Sequence, residues 1–139
     1  MNRFEILEHT GDVKIRVCGR TQEELFQNAM EGMFHILNPE PNSPAGGKNL
    51  KKRTIKIQAL DINALLVDFL NEVNYLRQVH GETYGKVYFQ QFSDTALEVE
   101  LEGDEVREFG EDIKAATFHD LDIHQNKKGE WETDIVFDV

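Results

Sequence analysis

The chain has 139 residues and a formal charge of −11, from 26 Asp plus Glu against 15 Lys plus Arg. That length suits one hydrophobic core, so residues 1–139 are expected to form one domain, and the acidic balance excludes a protein that grips RNA or DNA through its own field. A single cysteine excludes an internal disulfide framework, no run of about 18 apolar residues exists to make a membrane helix, and Met1 to Glu5 carry no apolar leader, so the cytoplasm is the expected compartment.

Taken in chain order, Phe4 to Leu7 reads as a short strand, and His9-Thr10-Gly11-Asp12 as a tight connection in which Gly11 frees the backbone. Val13, Ile15 and Val17 alternate with Lys14, Arg16 and Cys18, the period of a half-buried strand, and Cys18 is expected as a buried thiol rather than a nucleophile. Thr21-Gln22-Glu23-Glu24 has the spacing of a capping box. Behind it Leu25, Phe26, Ala29, Met30, Met33, Phe34 and Leu37 recur at helical spacing, which predicts an amphipathic helix over 22–37 with the methionines as core fillers.

All three prolines fall between Asn38 and Pro44, with Gly46-Gly47 behind them, a pattern that reads as an irregular loop. Lys51-Lys52-Arg53 is the one dense basic run and reads as a solvated strand edge, with a phosphate contact as the sharper alternative. Thr54 to Ala59 is a predicted strand. Asp61 is a plausible N-cap for a helix whose buried stripe is Leu65, Leu66, Phe69, Leu70, Val73 and Leu76, ending near His80-Gly81. Tyr84 to Phe92 and Ala96 to Leu101 form two alternating runs joined at Ser93-Asp94, and Gly103 to Asp112 reads as an acidic connection.

The last segment predicts a hairpin. Ile113, Ala115, Thr117, His119, Leu121 and Ile123 fall on one face of a strand; Trp131, Thr133, Ile135, Phe137 and Val139 fall on one face of a second; Asn126-Lys127-Lys128-Gly129 is the turn. The expected fold class is therefore α+β, a mixed and largely antiparallel sheet with two amphipathic helices packed on it.

Closing that hairpin at Lys127-Lys128 sets position 117 opposite 138, within two residues. Lys114, Asp138 and the carboxylate of Val139 then share one sheet end, an oxygen-rich arrangement of the kind that hard cations such as Ca²⁺ or Mg²⁺ accept. Asp12, at a loop-to-strand junction, is the best-placed third carboxylate by type. The bland readings stay open beside this one: Asp12 as a turn cap, Asp138 as a solvated strand end, Lys114 as the ion-pair partner of either. His9 and His119 lack ligand spacing, and structural hydrogen bonding suits them better; with Asp61 they are secondary candidates. No nucleophile elbow, Cys-x-x-Cys pair or complete phosphate loop is present.

His9-Thr10-Gly11-Asp12-Val13, followed by Thr21-Gln22-Glu23-Glu24-Leu25-Phe26, resembles the opening of the archease family. Leu65 to Glu72 is similar to its central helix, Ile113-Lys114-Ala115-Ala116-Thr117-Phe118-His119 resembles its Ile-Lys-Ala-Val-Thr-Tyr-His segment, and Trp131 to Val139 resembles its last strand. Gly11, Ala116 and Phe118 depart from the usual Ala, Val and Tyr. The resemblance implies an accessory protein, not an enzyme: an activator of the RtcB-type RNA ligase of tRNA splicing and RNA repair. That ligase joins a 3′-phosphate or 2′,3′-cyclic phosphate end to a 5′-hydroxyl with GTP and Mn²⁺. The activator promotes guanylylation of the ligase and multiple turnover. By the same resemblance Asp12, Asp138 and Val139 match metal-binding positions, for Ca²⁺, Mg²⁺ or Mn²⁺, and Lys114, with Asp12 and Asp138, matches the activating set. RNA would be met only through the ligase, and no membrane is involved. The rival readings are a general chaperone-like protein and a metal-dependent phosphoester hydrolase.

Overall fold

The computed structural model describes residues 3–41 and 50–139; of His9 and Thr10 it describes the backbone alone. The order is β1 (Phe4–Thr10), β2 (Asp12–Gly19), α1 (Gln22–Leu37), β3 (Pro39–Pro41), β4 (Lys51–Gln58), α2 (Ile62–His80), β5 (Glu82–Phe92), β6 (Ala96–Phe109), β7 (Ala115–Thr117), β8 (His124–Gln125) and β9 (Trp131–Asp138). The class is α+β, with every strand pairing antiparallel. Instead of one mixed sheet there are two. The first runs β1-β2-β9-β7 with β8 also on β9; the second joins β3, β4 and β5 to β6.

Both helices start where their caps place them. Thr21 is extended and its hydroxyl accepts from the Glu24 amide at 3.0 Å, while the Glu24 carboxylate reaches back to the Arg20 N–H at 3.1 Å, one residue beyond the reciprocal partner of an ideal box. Asp61 accepts from the Ala64 amide at 2.8 Å and starts α2. Gly81, at φ +65°, ends α2 in the left-handed conformation that glycine adopts without a Cβ penalty.

α1 lies against β2 of the first sheet and β5 of the second; α2 lies against β4 and β5 of the second and β7 of the first. The helices thus bridge the sheets, and the core between them contains Val13, Ile15, Phe26, Met30, Met33, Phe69, Leu70, Val99 and Phe137, all fully buried. Phe26 meets Phe69 and Phe92 at ring separations of 5.7 and 5.1 Å, within the range of favourable aromatic pairs.

Four sequence expectations shift. Pro39 to Pro41 pair with β6 as a short edge strand rather than loop, which proline allows where its missing N–H faces outward; the rest of that loop, 42–49, lies outside the described residues. Gly103 to Phe109 continue β6 instead of connecting it, because β5 and β3 pair with that stretch while its acidic side chains stay outside. The predicted strand from Ile113 to Ile123 divides into β7 and β8 around a turn at 118–123, and the buried positions are Ile113 and Ala116 rather than an unbroken odd-numbered row. Cys18 stands on the face of β2 away from the core, opposite Glu132, half-buried, with burial pushing its thiol pKa up.

Candidate functional site

Val13, Ile15 and Val17 alternate inward on β2, so Asp12, Lys14 and Arg16 face outward. On β9 the inward residues are Thr133, Ile135 and Phe137. Val13 pairs with Phe137, so extending the register by one residue sets Asp12 opposite Asp138. On the other side of β9, Ala115 pairs with Asp138. The row Asp12, Asp138, Ala115 therefore crosses three strands on one face at one end of the sheet. Directly opposed antiparallel residues have Cα atoms about 5 Å apart, and their side chains leave the sheet on the same face. Ala115 carries only a methyl group there and leaves the space over Asp138 open.

Asp12 and Asp138 are exposed. Neither carboxylate forms an ion pair with a described residue, whereas the next cation along β2 is already engaged: Lys14 Nζ lies 3.2 Å from Asp120 and 3.9 Å from Asp134. The hydrogen bond to Asp120 is the main cause that raises the Lys14 pKa. Arg16 closes the same chain of charges on Asp134 through contacts of 2.9 and 3.3 Å. Among the described residues, two carboxylates thus remain side by side at the sheet end without an ion-pair partner.

Lys114 joins them through its backbone. Its N–H donates to the Asp138 carbonyl at 2.7 Å, and its side chain is exposed. Val139 continues β9 past Asp138 with its side chain against the core. Asp12, Lys114, Asp138 and Val139, singled out from the sequence, therefore come together at one end of one sheet.

Two of the secondary candidates, Asp61 and His119, are engaged elsewhere. Asp61 is occupied as the cap of α2, ten residues before Asn71, the helix residue that contacts β7. At about 1.5 Å per residue that puts Asp61 about 15 Å away along the helix. His119 projects from the turn after β7, 75% exposed, with its ring 3.7 Å from Asp120. The backbone of His9 pairs with Val13, and its side chain lies outside the described residues. The basic run at 51–53 is consumed by ion pairs: Lys51 with Glu105, Lys52 with Glu100, and Arg53 with the buried Glu82.

Among the described residues no three His, Cys, Asp or Glu side chains converge to hold a metal. A cation here would have two side-chain carboxylates, with main-chain and water oxygens completing its shell. That all-oxygen donor set fits a hard ion such as Ca²⁺, Mg²⁺ or Mn²⁺ and does not fit zinc, which favours nitrogen and sulfur.

Three residues that support this end were not singled out from the sequence. Asn71, Asn74 and Arg77 form a polar row on the buried side of α2 and bond the backbone of Ile113 and Ala116. Their sequence signal was polar side chains standing beside the apolar stripe of Leu70 and Val73, at the three-residue spacing that keeps them along one side of a helix.

Residues 4–139 match the model of the Archease protein family. Over 145 residues the chain is 28% identical to the protein archease of Methanosarcina mazei, covering 99% of this chain and 96% of that one. Over 149 residues it is 30% identical to the protein archease of Pyrococcus furiosus, covering all of both. The solution structure of a Methanobacterium thermoautotrophicum protein superposes over the full length of both chains with a TM-score of 0.72 at 23% identity. The crystal structure of a Thermotoga maritima protein, described as "an archease, possible chaperone", superposes with a TM-score of 0.69 at 19% identity, covering 97% of this chain and 96% of that one. These two likenesses concern the fold.

Proposed function

Because the chain belongs to the archease family, we propose that it is an accessory protein that activates an RtcB-type RNA ligase in tRNA splicing and RNA repair, and that the Asp12–Asp138 end of the first sheet carries the activity. It has no turnover of its own in this reading. It binds the ligase in the cytoplasm, promotes its guanylylation with GTP, and so permits repeated rounds of joining. RNA is handled by the ligase alone, in keeping with a chain charge of −11.

The observation that carries the reading is the convergence of Asp12, Asp138 and the Lys114 backbone on one exposed sheet end. Two neighbouring carboxylates with no ion-pair partner among the described residues form a local negative field, and such a field suits docking on a protein basic enough to bind RNA. Asp12, Asp138 and the main chain at Val139 would hold a divalent cation, Ca²⁺, Mg²⁺ or Mn²⁺, whose charge would offset the repulsion between the two carboxylates. Lys114, with its backbone tied to Asp138, presents a cation at the rim of that field and orients the contact with the partner.

The test is a multiple-turnover ligation assay with the cognate ligase, GTP and Mn²⁺, with and without this protein. Stimulated guanylylation and turnover, lost on Asp138→Ala or Lys114→Ala with the fold intact by circular dichroism, is the expected result. Normal stimulation by both variants would refute the site, and no stimulation by the unmodified chain would refute the function. A second reading, a chaperone-like protein, draws on the exposure of Leu60, Tyr75, Val79 and Phe118. It requires suppressed aggregation of unrelated clients without any effect on the ligase.

A further inference from the structure

β7 is three residues long and pairs with β9 on one side only. Its other edge faces α2, where Ala116 is buried. A sheet edge covered by a helix presents backbone N–H and C=O groups that cannot reach water, and a helix backbone has no donors or acceptors to spare for them. Side chains of α2 satisfy them. The Asn71 carboxamide accepts from the Ala116 N–H at 2.8 Å and donates to the Ala116 carbonyl at 3.2 Å, as a neighbouring strand would. Three residues on, Asn74 donates to the Ile113 carbonyl at 2.9 Å, and Arg77 Nη2 donates to the same oxygen at 3.1 Å.

Arg77 is itself locked. It is 5% exposed, its Nε donates to Asn74 Oδ1 at 2.7 Å, its Nη2 donates to Asp112 at 2.7 Å, and its guanidinium lies 4.9 Å from the centre of the Phe109 ring. The peptide between Ile113 and Lys114 is thereby held at both ends: its carbonyl by α2, its N–H by the Asp138 carbonyl at 2.7 Å. Nothing in β7 itself supplies that restraint, because three strand residues with one neighbour are a weak element.

We propose that Asn71, together with Asn74 and Arg77, is the positioning device of the site: it holds the Ile113–Ala116 segment in one register so that Lys114 and Asp138 stay at a fixed separation. These residues touch neither a cation nor the partner. They act through Lys114, as the hydrogen-bonded supports behind a metal or catalytic shell do, whose loss costs about 10–100-fold in affinity or activity. The functional consequence rests on the ligase-activation reading; the structural consequence does not.

Asn71→Leu keeps the side-chain size and removes both hydrogen bonds, and Asn71→Asp keeps only the acceptor for the Ala116 N–H. Val73→Ala, on the same helix and fully buried but outside this row, is the control for lost stability. Two readouts are needed. The first is amide hydrogen exchange at Lys114, whose own acceptor the substitutions leave in place; Asn71→Leu should speed it about tenfold, with Asn71→Asp between it and the unmodified chain, while Val99 in the second sheet is unaffected. The second is stimulation of ligase guanylylation, which should fall about tenfold in Asn71→Leu and stay near normal in Val73→Ala at equal or greater loss of thermal stability. Unchanged exchange at Lys114 in both Asn71 variants, or equal loss of stimulation in Val73→Ala, overturns the proposal. If Asn71→Leu does not fold, Asn71→Asp decides on both readouts. If the unmodified chain gives no stimulation, the functional reading falls and the exchange data still decide whether Asn71 positions Lys114.

Discussion

Arg53 on β4 grips Glu82 at the start of β5 through two parallel hydrogen bonds of 3.0 and 2.8 Å, although Glu82 is 1% exposed. Tyr84 donates a third, at 2.8 Å, to the same carboxylate. The pair joins strands that do not pair with one another, since β4 and β5 flank opposite sides of β6. Removing Arg53 would leave a buried carboxylate with only the tyrosine, so Arg53→Ala should cost about 3 kcal/mol, whereas Glu82→Gln, which keeps an acceptor in place, should cost less. Urea denaturation of both variants gives the comparison; an Arg53→Ala loss smaller than that of Glu82→Gln contradicts this account of the network.

The same network sets a pH dependence. Burial pushes the Glu82 carboxyl up, but the hydrogen bonds from Arg53 and Tyr84 outweigh it and hold the group below its usual 4.5. The hydrogen bond from Arg77 similarly holds Asp112 below its usual 3.8. Both groups have depressed pKa values in the folded chain, so each contributes stability that is fully present above its ordinary value and is lost as pH falls through the folded value. Stability should therefore be flat through neutrality on their account and fall only in acid, below about pH 4. The denaturation midpoint of Glu82→Gln should change less between pH 5 and pH 2 than that of the unmodified chain. Parallel acid limbs would show that Glu82 titrates normally.

Gly103 occupies β6 where β5 bulges between Tyr84 and Lys86. A Cβ built there would collide with the Thr83 carbonyl oxygen, a backbone atom that cannot turn aside as a side chain would. Gly103→Ala should therefore destabilise by about 2–3 kcal/mol, in the range of overpacked interiors, or shift the β5–β6 register. Gly85→Ala, with no atom near its added Cβ, is the matched control and should stay within about 0.5 kcal/mol. Equal melting temperatures for the two variants would refute the steric argument.

Which parts of this arrangement can be read from the chain depends on how far apart the interacting residues lie. The helices were legible because Thr21 and Glu24, or Asp61 and Ala64, settle a helix start within three residues, and the apolar stripe repeats at a local period. The Lys114 and Asp138 end was legible because the Asn126–Gly129 turn sets the hairpin register to within two residues, enough to bring 115–117 opposite Asp138 although the break between β7 and β8 shifts the pairing. Asp12 was legible only by its residue type and the family resemblance, because β2 reaches β9 from the other end of the chain. The second half of β6 was not, because Glu102, Asp104 and Glu105 blur the alternation that marks a strand, and its pairing partners come from β3 and β5. The break between β7 and β8 was hidden for another reason: Asp120 takes a left-handed conformation at φ +60°, and Lys14, 106 positions away, holds its carboxylate. Asn71 was invisible as a support because its partner Ala116 is 45 positions away. A carboxamide that stands in for a strand has no periodic signature.

The carboxylate pair gives the last prediction, and its sign differs with and without cation. Like charges placed directly opposite on a sheet face repel by about 0.2–1 kcal/mol. In the presence of a chelator, Asp138→Asn removes one of them and should raise stability by that amount. With Ca²⁺ or Mn²⁺ the order should reverse. A cation that binds only the folded chain stabilises it by about 2.7 kcal/mol at a hundred times its dissociation constant, and Asp12→Asn or Asp138→Asn should remove most of that gain. Thermal melts of the unmodified chain, Asp12→Asn, Asp138→Asn and the double variant in chelator and across a Ca²⁺ titration, with terbium luminescence as a direct probe of occupancy, give every comparison. Equal cation stabilisation of the unmodified chain and of the Asp12→Asn, Asp138→Asn double variant would place any bound metal elsewhere, and would leave the acidic sheet end as an electrostatic docking surface alone.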